Sequence, residues 1–343
     1  MKTFEIKESE LKNITLFLTE KQILLHPKIS PNGTPDFTRY LGKKFVLILD
    51  RNILVKILRL VTNGELKDEN DLKIISSLLL WAEFNNIALN SALALIEYSN
   101  FHQRNTESSE ENNLFLEIFK QYTPKHWLDL ATGKSTSIPK IELKEQKSFS
   151  FYIEDDHFKM HLLEMLKLSQ LYFDCNQSIE DKFHDFFKWV IENILICKYT
   201  TYFACMLLGN NSKIFRNKEL TYESIIKICK NAAWDLTYLS FWSTQYYYED
   251  NADEIFLFVT MDKELRELFF LTHKESLEIF KKYFGEKIGG KIINSLSSNY
   301  IKRDKPEINQ EKLDKMIISE KDKLRIIIES NAQSNNIQND HTF

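Results

Sequence analysis

The chain reads as an α/β protein: a three-layer domain around a short parallel central sheet, interrupted by a mostly helical insertion and followed by C-terminal helices. Three observations predict this. Two short, almost wholly apolar runs, FVLIL at 45–49 and EIFLFVT at 254–260, each lead straight into a segment with helical spacing, the pattern of strands buried on both faces. Between them, residues 156–208 are aromatic-rich and helical in pattern, with little Gly or Pro. An acid stands directly after the first apolar run and shortly after the second, Asp50 and Asp262, where open α/β sheets bind their ligands.

Taken in order, residues 1–44 hold alternating stretches (FEIKE, ITLFL) and the turn-rich SPNGTPDF, and are expected as an irregular extension with one or two strands. The strand at 45–49 runs into a helix from 52 to 60. Apolar spacing predicts a helix at 71–84, then a short strand at 87–90, with Ser91 positioned to cap the helix that carries Glu97. Residues 101–150 turn polar (HQRNTESSEENN, ATGKSTSIPK) around a short helix at 114–121. Thr221 is placed to cap a long helix, 222–242, that carries Asp235. A strand at 254–260 precedes a helix at 263–271, and further helices fill 274–299 and 307–329. The implied organisation is an N-terminal extension (1–44), an α/β domain (45–100 and 222–300), an inserted helical part (101–221), a C-terminal helix (301–330) and a polar tail (331–343).

The 343 residues suffice for one large domain or two modest ones, and 43% hydrophobic residues argue for a packed chain. With 45 basic against 49 acidic residues and a net charge of -4, no overall basic surface announces nucleic-acid binding, which leaves a local patch. Four cysteines without a CxxC pair exclude a zinc knuckle and a disulfide framework, and suit reduced thiols in the cytoplasm. The polar start has no secretory apolar core. The apolar stretch at 190–209 is interrupted by Glu192 and Lys198, so a buried helix is expected and no membrane span.

A buried carboxylate at the end of a strand is costly unless a cation or a partner meets it. Asp50 (LILDRNIL), Glu97 (NSALALIE), Asp235 (AAWDLTYL) and Asp262 (VTMDKELREL) occur in the order strand–Asp–helix, strand–helix–Glu, helix–Asp, strand–Asp–helix. This order and these motifs resemble the PIN-like nuclease family over residues 42–100 and 222–272. Arg51 departs from the family pattern, where a small hydroxyl residue is usual, and the insertion between Glu97 and Asp235 makes the chain far longer than a minimal member. The resemblance implies a metal-dependent endonuclease cleaving single-stranded RNA, with single-stranded DNA as the alternative, and the setting of a toxin or phage-defence effector checked by an inhibitory or activating protein partner. It also leaves room for a catalytically degenerate binding module and for oligomers.

The chemistry stands beside the resemblance. Clustered carboxylates are hard oxygen donors that suit Mg²⁺ or Mn²⁺, and metal pairs about 3.5–4 Å apart serve phosphodiester hydrolysis. Asp50, Glu97, Asp235 and Asp262 are the candidate catalytic and metal-binding residues, with Asn52, Thr260 and Arg51 in support. Each acid also has a plainer reading: Asp50 and Asp262 as helix caps, Glu97 and Asp235 as exposed helix residues. His157 and His161, four apart with Glu164 following, share a helix face as a metal pair or as packing residues. Within FWSTQYYYED, Phe241 and Trp242 are expected in the core, while Tyr246 to Tyr248 are read either as core or as ring faces for unpaired bases. Lys43, Lys44, Lys56 and Arg59 flank the first acidic motif. No Gly-rich phosphate loop or nucleophile elbow occurs.

Overall fold

The computed structural model describes residues 5–28, 40–143, 146–153, 155–209, 213–215, 220–301 and 306–340. It is a mostly helical α/β protein: thirteen helices and a four-stranded mixed sheet among the described residues. The chain divides into two compact units, Met1–Ile153 with Phe241–Arg266, and Glu154–Ser240 with Glu267–Phe343.

The first unit holds the sheet. Its order is β1 (Leu24–Leu25), β4 (Glu254–Val259), β2 (Lys44–Leu49), β3 (Ala88–Asn90). The two apolar runs become β2 and β4, paired in parallel from Lys44↔Glu254 to Leu49↔Val259, and β3 pairs in parallel on the other side of β2. The expectation of an all-parallel sheet needs correcting at one edge, where β1 runs antiparallel to β4. That strand comes from the N-terminal segment, and no βαβ crossover sets its direction.

The N-terminal segment is also not the irregular piece its alternation suggested. Residues Glu8–Lys21 form helix α1, with Glu8 and Glu10 in the first turn and Lys21 in the last, charges that complement the helix dipole. Only Ile14 and Leu18, one helical turn apart, are buried, so the apolar signal was too thin to show the period.

Helix α2 (Arg51–Asn63) follows β2 at once and buries Ile53, Leu54, Ile57, Leu58, Leu60 and Val61, each worth about 1.5–3 kcal/mol in side-chain burial. Gly64 ends it at φ +80, and a Cβ there would lie 2.6 Å from the Ile138 carbonyl oxygen, so two constraints demand glycine. Helix α3 (Glu69–Phe84) is capped by Asp68 through the Asp71 N–H at 2.7 Å and is buried nearly all round.

Residues 101–150 are more helical than their polarity predicts. Helix α4 (Ala92–His102) is followed by α5 (Asn105–Gln121) and α6 (Pro124–Ala131). Ser91 makes no side-chain cap to α4; Asn90 Oδ1 accepts the Ala92 N–H instead, at 2.9 Å. Part of the polar run, Asn105, Ser108, Ser109 and Asn113, faces inward on α5. Asn113 exchanges hydrogen bonds with Lys147 (Nδ2 to O 2.8 Å, N–H to Oδ1 3.0 Å), and Ser109 Oγ and Asn105 Oδ1 accept from the N–H groups of Phe149 and Phe151 at 2.9 and 2.7 Å. Asn and Ser, poor helix formers alone, are kept here because they satisfy the backbone of a packed extended segment.

The second unit is helical: α7 (Asp156–Phe173), α8 (Ile179–Asn193), α9 (Lys198–Leu208), most of α10 (Tyr222–Tyr248), most of α11 (Lys263–Lys274), α12 (Ile279–Ile301) and α13 (Gln310–Asp340). Helix α7 packs on α13 and α8 on α12, around rings including Phe183, Phe187 and Phe280. Thr221 caps α10 as expected, its Oγ1 accepting the Ser224 N–H at 3.2 Å. Gly285 breaks α12 at φ +81. No described helix is long and apolar enough to cross a membrane.

Candidate functional site

Asp50 is the first residue beyond β2, and its N–H still pairs with the Val259 carbonyl of β4 at 3.0 Å. Its side chain is therefore held at the carboxyl ends of two parallel strands, only 5% exposed. Two neutral donors converge on Oδ2: Thr260 Oγ1 at 2.5 Å and Asn52 Nδ2 at 2.5 Å. Thr260 is the residue just after β4, and Asn52 lies in the first turn of α2. Asn52 also donates to Thr260 Oγ1 (3.2 Å) and accepts the Met261 N–H (3.2 Å), while Thr260 Oγ1 accepts the Asp262 N–H at 3.0 Å. The two strand ends are thus locked by a small network centred on one carboxylate.

Burial pushes the Asp50 carboxyl up to about 6 from its ordinary 3.8. The Thr260 hydroxyl and the N–H groups of Arg51 and Asn52 oppose this, and the nearby Asp262 charge adds to it. Neutral donors do not offset the desolvation of an anion here. The helix-cap reading holds for Asp50 by position only: it is the N-cap residue of α2 but makes no side-chain cap hydrogen bond. It holds for Asp262, exposed, whose Oδ1 accepts the Leu265 N–H at 2.9 Å in the first turn of α11.

Glu97 sits half-buried on α4, which packs on β2 and α2. Asp235 sits half-buried on the part of α10 that belongs to the second unit, between the buried Trp234 and Leu236. Asp50, Asn52, Thr260 and Asp262 are brought together; among the described residues no group of three or more His, Cys, Asp or Glu is placed to hold a metal ion.

The basic residues scatter. Lys56 pairs with Asp71, and Arg59 points to solvent. Lys43 and Lys44 sit at the opposite end of β2, about 20 Å from Asp50 by strand rise, and Lys43 Nζ donates to the Glu249 carbonyl at 2.7 Å. Of these five, Arg51 alone is local, and its guanidinium is engaged by Glu111, a partner that no sequence spacing signalled.

The remaining candidates resolve by burial. His161 is inside the second unit, bonded to Glu164 (2.7 Å) and Ser240 (2.7 Å), while His157 is exposed; packing, not a metal pair, explains the spacing. Trp242 is buried as expected, its Nε1 donating to the Phe256 carbonyl at 2.8 Å, whereas Phe241 is 38% exposed, against expectation, because it faces outward on α10. Tyr246 stacks on Trp242 with ring centroids 5.1 Å apart. Tyr247 and Tyr248 are exposed.

Sequence reasoning missed a second buried acid in the same unit. Glu249, in a 3₁₀ turn just before β4, is bonded by His26 Nε2 (2.9 Å), Lys28 Nζ (2.5 Å) and Tyr40 OH (2.7 Å). The Lys28 N–H donates to His26 Nδ1, so Nε2 carries the proton that Glu249 accepts. Residues more than two hundred positions apart carry no spacing signal.

No protein-family model, curated protein or solved structure matches the chain.

Proposed function

We propose that the chain is a divalent-metal-dependent endonuclease with a PIN-like, three-layer domain, hydrolysing phosphodiester bonds of single-stranded RNA. One observation carries the reading: a carboxylate buried at the carboxyl ends of two parallel strands and met only by neutral donors. Such a group is stabilised by a cation, and the ligand-binding edge of an open α/β sheet is where it lies. The oxygen-only donor set of Asp50 and Asp262 fits Mg²⁺ or Mn²⁺, with Glu97 on the neighbouring helix as a further donor. Asp235 enters only through the resemblance. When bound, such a cation polarises a phosphodiester and makes water a better nucleophile at neutral pH. The chain's own part is positional: Asn52 and Thr260 fix the orientation of the Asp50 carboxylate and tie both strand ends to it.

The test is cleavage of labelled single-stranded RNA and DNA with Mn²⁺ or with chelator. Asp50→Asn should abolish metal-dependent RNA cleavage while the fold is kept. Full cleavage by that variant, or cleavage in chelator, overturns the assignment. A second reading, a catalytically degenerate member that binds nucleic acid or protein, draws on the absence among the described residues of three ligating side chains placed for a metal. It predicts no thermal stabilisation by either cation. A toxin or phage-defence role held in check by a partner protein belongs to the resemblance, and a co-purifying inhibitor would support it.

A further inference from the structure

Arg51, the direct neighbour of Asp50, is held on two sides. Its Nη1 and Nη2 donate to the two carboxylate oxygens of Glu111 at 2.5 and 2.8 Å. The guanidinium lies over the Tyr98 ring, 4.1 Å from its centroid. The Tyr98 hydroxyl accepts from Arg104 Nη1 at 3.0 Å, and Arg104 is 51% exposed with Glu107 Oε1 at 3.9 Å. Three helices thus contribute: α2 the fork, α4 the ring and α5 the acid, with Arg104 at the α4–α5 junction.

A guanidinium fork binds a carboxylate and a phosphodiester by the same two parallel N–H···O bonds. The Tyr98 face fixes the plane of the fork independently of Glu111. The Arg51 and Glu111 side chains are 17% and 21% exposed, so the pair lies at the water boundary, where a competing anion can reach the fork. Exchange of one anion for another therefore needs no unfolding. In a chain of net charge -4, an internal carboxylate in this seat also suppresses loose binding of stray anions.

We propose that Arg51, set on Tyr98 and backed by Arg104, is a phosphate seat for the backbone of single-stranded RNA, and that Glu111 is the internal anion the strand displaces. This rests on the nuclease reading for its substrate class. The seat lies one residue from the candidate metal-binding carboxylate, so a strand engaged there passes the site.

The test measures binding apart from cleavage. A short fluorescent oligouridylate is titrated by anisotropy against the full chain in chelator, for wild type, Glu111→Gln, Arg51→Met, Arg51→Lys and the double variant. Glu111→Gln should bind about tenfold tighter. That gain should vanish in the Arg51→Met background, and Arg51→Met should lower the salt slope of binding by about one. Arg51→Lys keeps the charge without the fork and should bind about threefold more weakly than wild type. An equal gain from Glu110→Gln, an exposed acid beside Glu111, would show bulk charge at work and overturn the seat. So would Arg51→Lys binding like wild type, or a gain that persists without Arg51. Inorganic phosphate competing as well as unlabelled oligonucleotide, phosphate for phosphate, would assign the seat to the free anion and overturn the RNA assignment. The expected binding pattern with no Mn²⁺-dependent cleavage sinks the nuclease reading and leaves the seat; cleavage with an unchanged Glu111→Gln affinity does the reverse.

Discussion

Two buried carboxylates stand at opposite ends of the same parallel strand pair, and their surroundings differ in kind. Glu249, at the entry to β4, is met by a lysine, a histidine N–H and a tyrosine hydroxyl. Burial alone would raise its pKa, but these bonds hold it at about 2 against an ordinary 4.5. Asp50, at the exit of β2, receives an amide and a hydroxyl, and rises to about 6. One acid arrives with its own cation, Lys28, and is complete. The other is buried with neutral company and a second acid nearby, the electrostatic condition under which an external cation binds.

The comparison breaks most visibly if Glu249 is neutralised. Glu249→Gln weakens three hydrogen bonds at once, from His26, Lys28 and Tyr40, leaves Lys28 with the Asp250 carboxylate at 3.7 Å, and should cost about 3 kcal/mol, read as a large fall in the denaturant midpoint; a loss below ~1 kcal/mol would mean the cluster is not the structural knot described. Asp50→Asn should do the opposite. A rise from 3.8 to about 6 corresponds to about 3 kcal/mol of strain in the charged form, so at neutral pH this variant should unfold at higher denaturant than wild type. A destabilised variant would place the carboxylate's hydrogen bonds above its desolvation.

The pH dependences carry opposite signs. Asp50 is raised in the fold, so its contribution is complete below pH 3.8 and is lost as pH rises through about 6. Glu249 is depressed, so its contribution is present above 4.5 and lost as pH falls through about 2. The stability difference between wild type and Asp50→Asn should accordingly widen from pH 4 to 6, while that between wild type and Glu249→Gln should narrow below pH 4.5; parallel curves would sink both attributions.

Mn²⁺ sharpens the contrast further. At one hundred times its Kd it should add about 2.7 kcal/mol to wild type and nothing to Asp50→Asn, seen as a melting shift that chelator removes. The smallest effect is expected from Thr260→Val, which removes one donor to Asp50 and should cost about 1 kcal/mol while pushing the Asp50 carboxyl higher still. A neutral result there would leave Asn52 as the principal support.

Much of this geometry was legible in the sequence because β2 and β4 are apolar on both faces and each is followed by polar residues and a helix. Asp50, Asn52, Thr260 and Asp262 lie within three positions of a strand end, so locating the strands located them. Glu97 and Asp235 lie inside helices, where no local pattern tells a ligand from a surface acid. The Glu249 cluster and the Arg51–Glu111 pair were invisible for a plainer reason: their members meet only through the fold. Helix α1 differs from the expectation because FEIKE and ITLFL alternate like strands while only Ile14 and Leu18 are buried, and the start of α5 because its polar run reads as loop.

That polar run has a consequence of its own. Along one side of α5, Asn105, Ser109 and Asn113 recur every fourth residue and meet the alternate residues Phe151, Phe149 and Lys147 running the other way. One turn of helix is matched to two steps of extended chain, like the teeth of a zip. Deleting a single amino acid between 147 and 151 would set each tooth against a gap, so this stretch should tolerate many side-chain exchanges but no change in length.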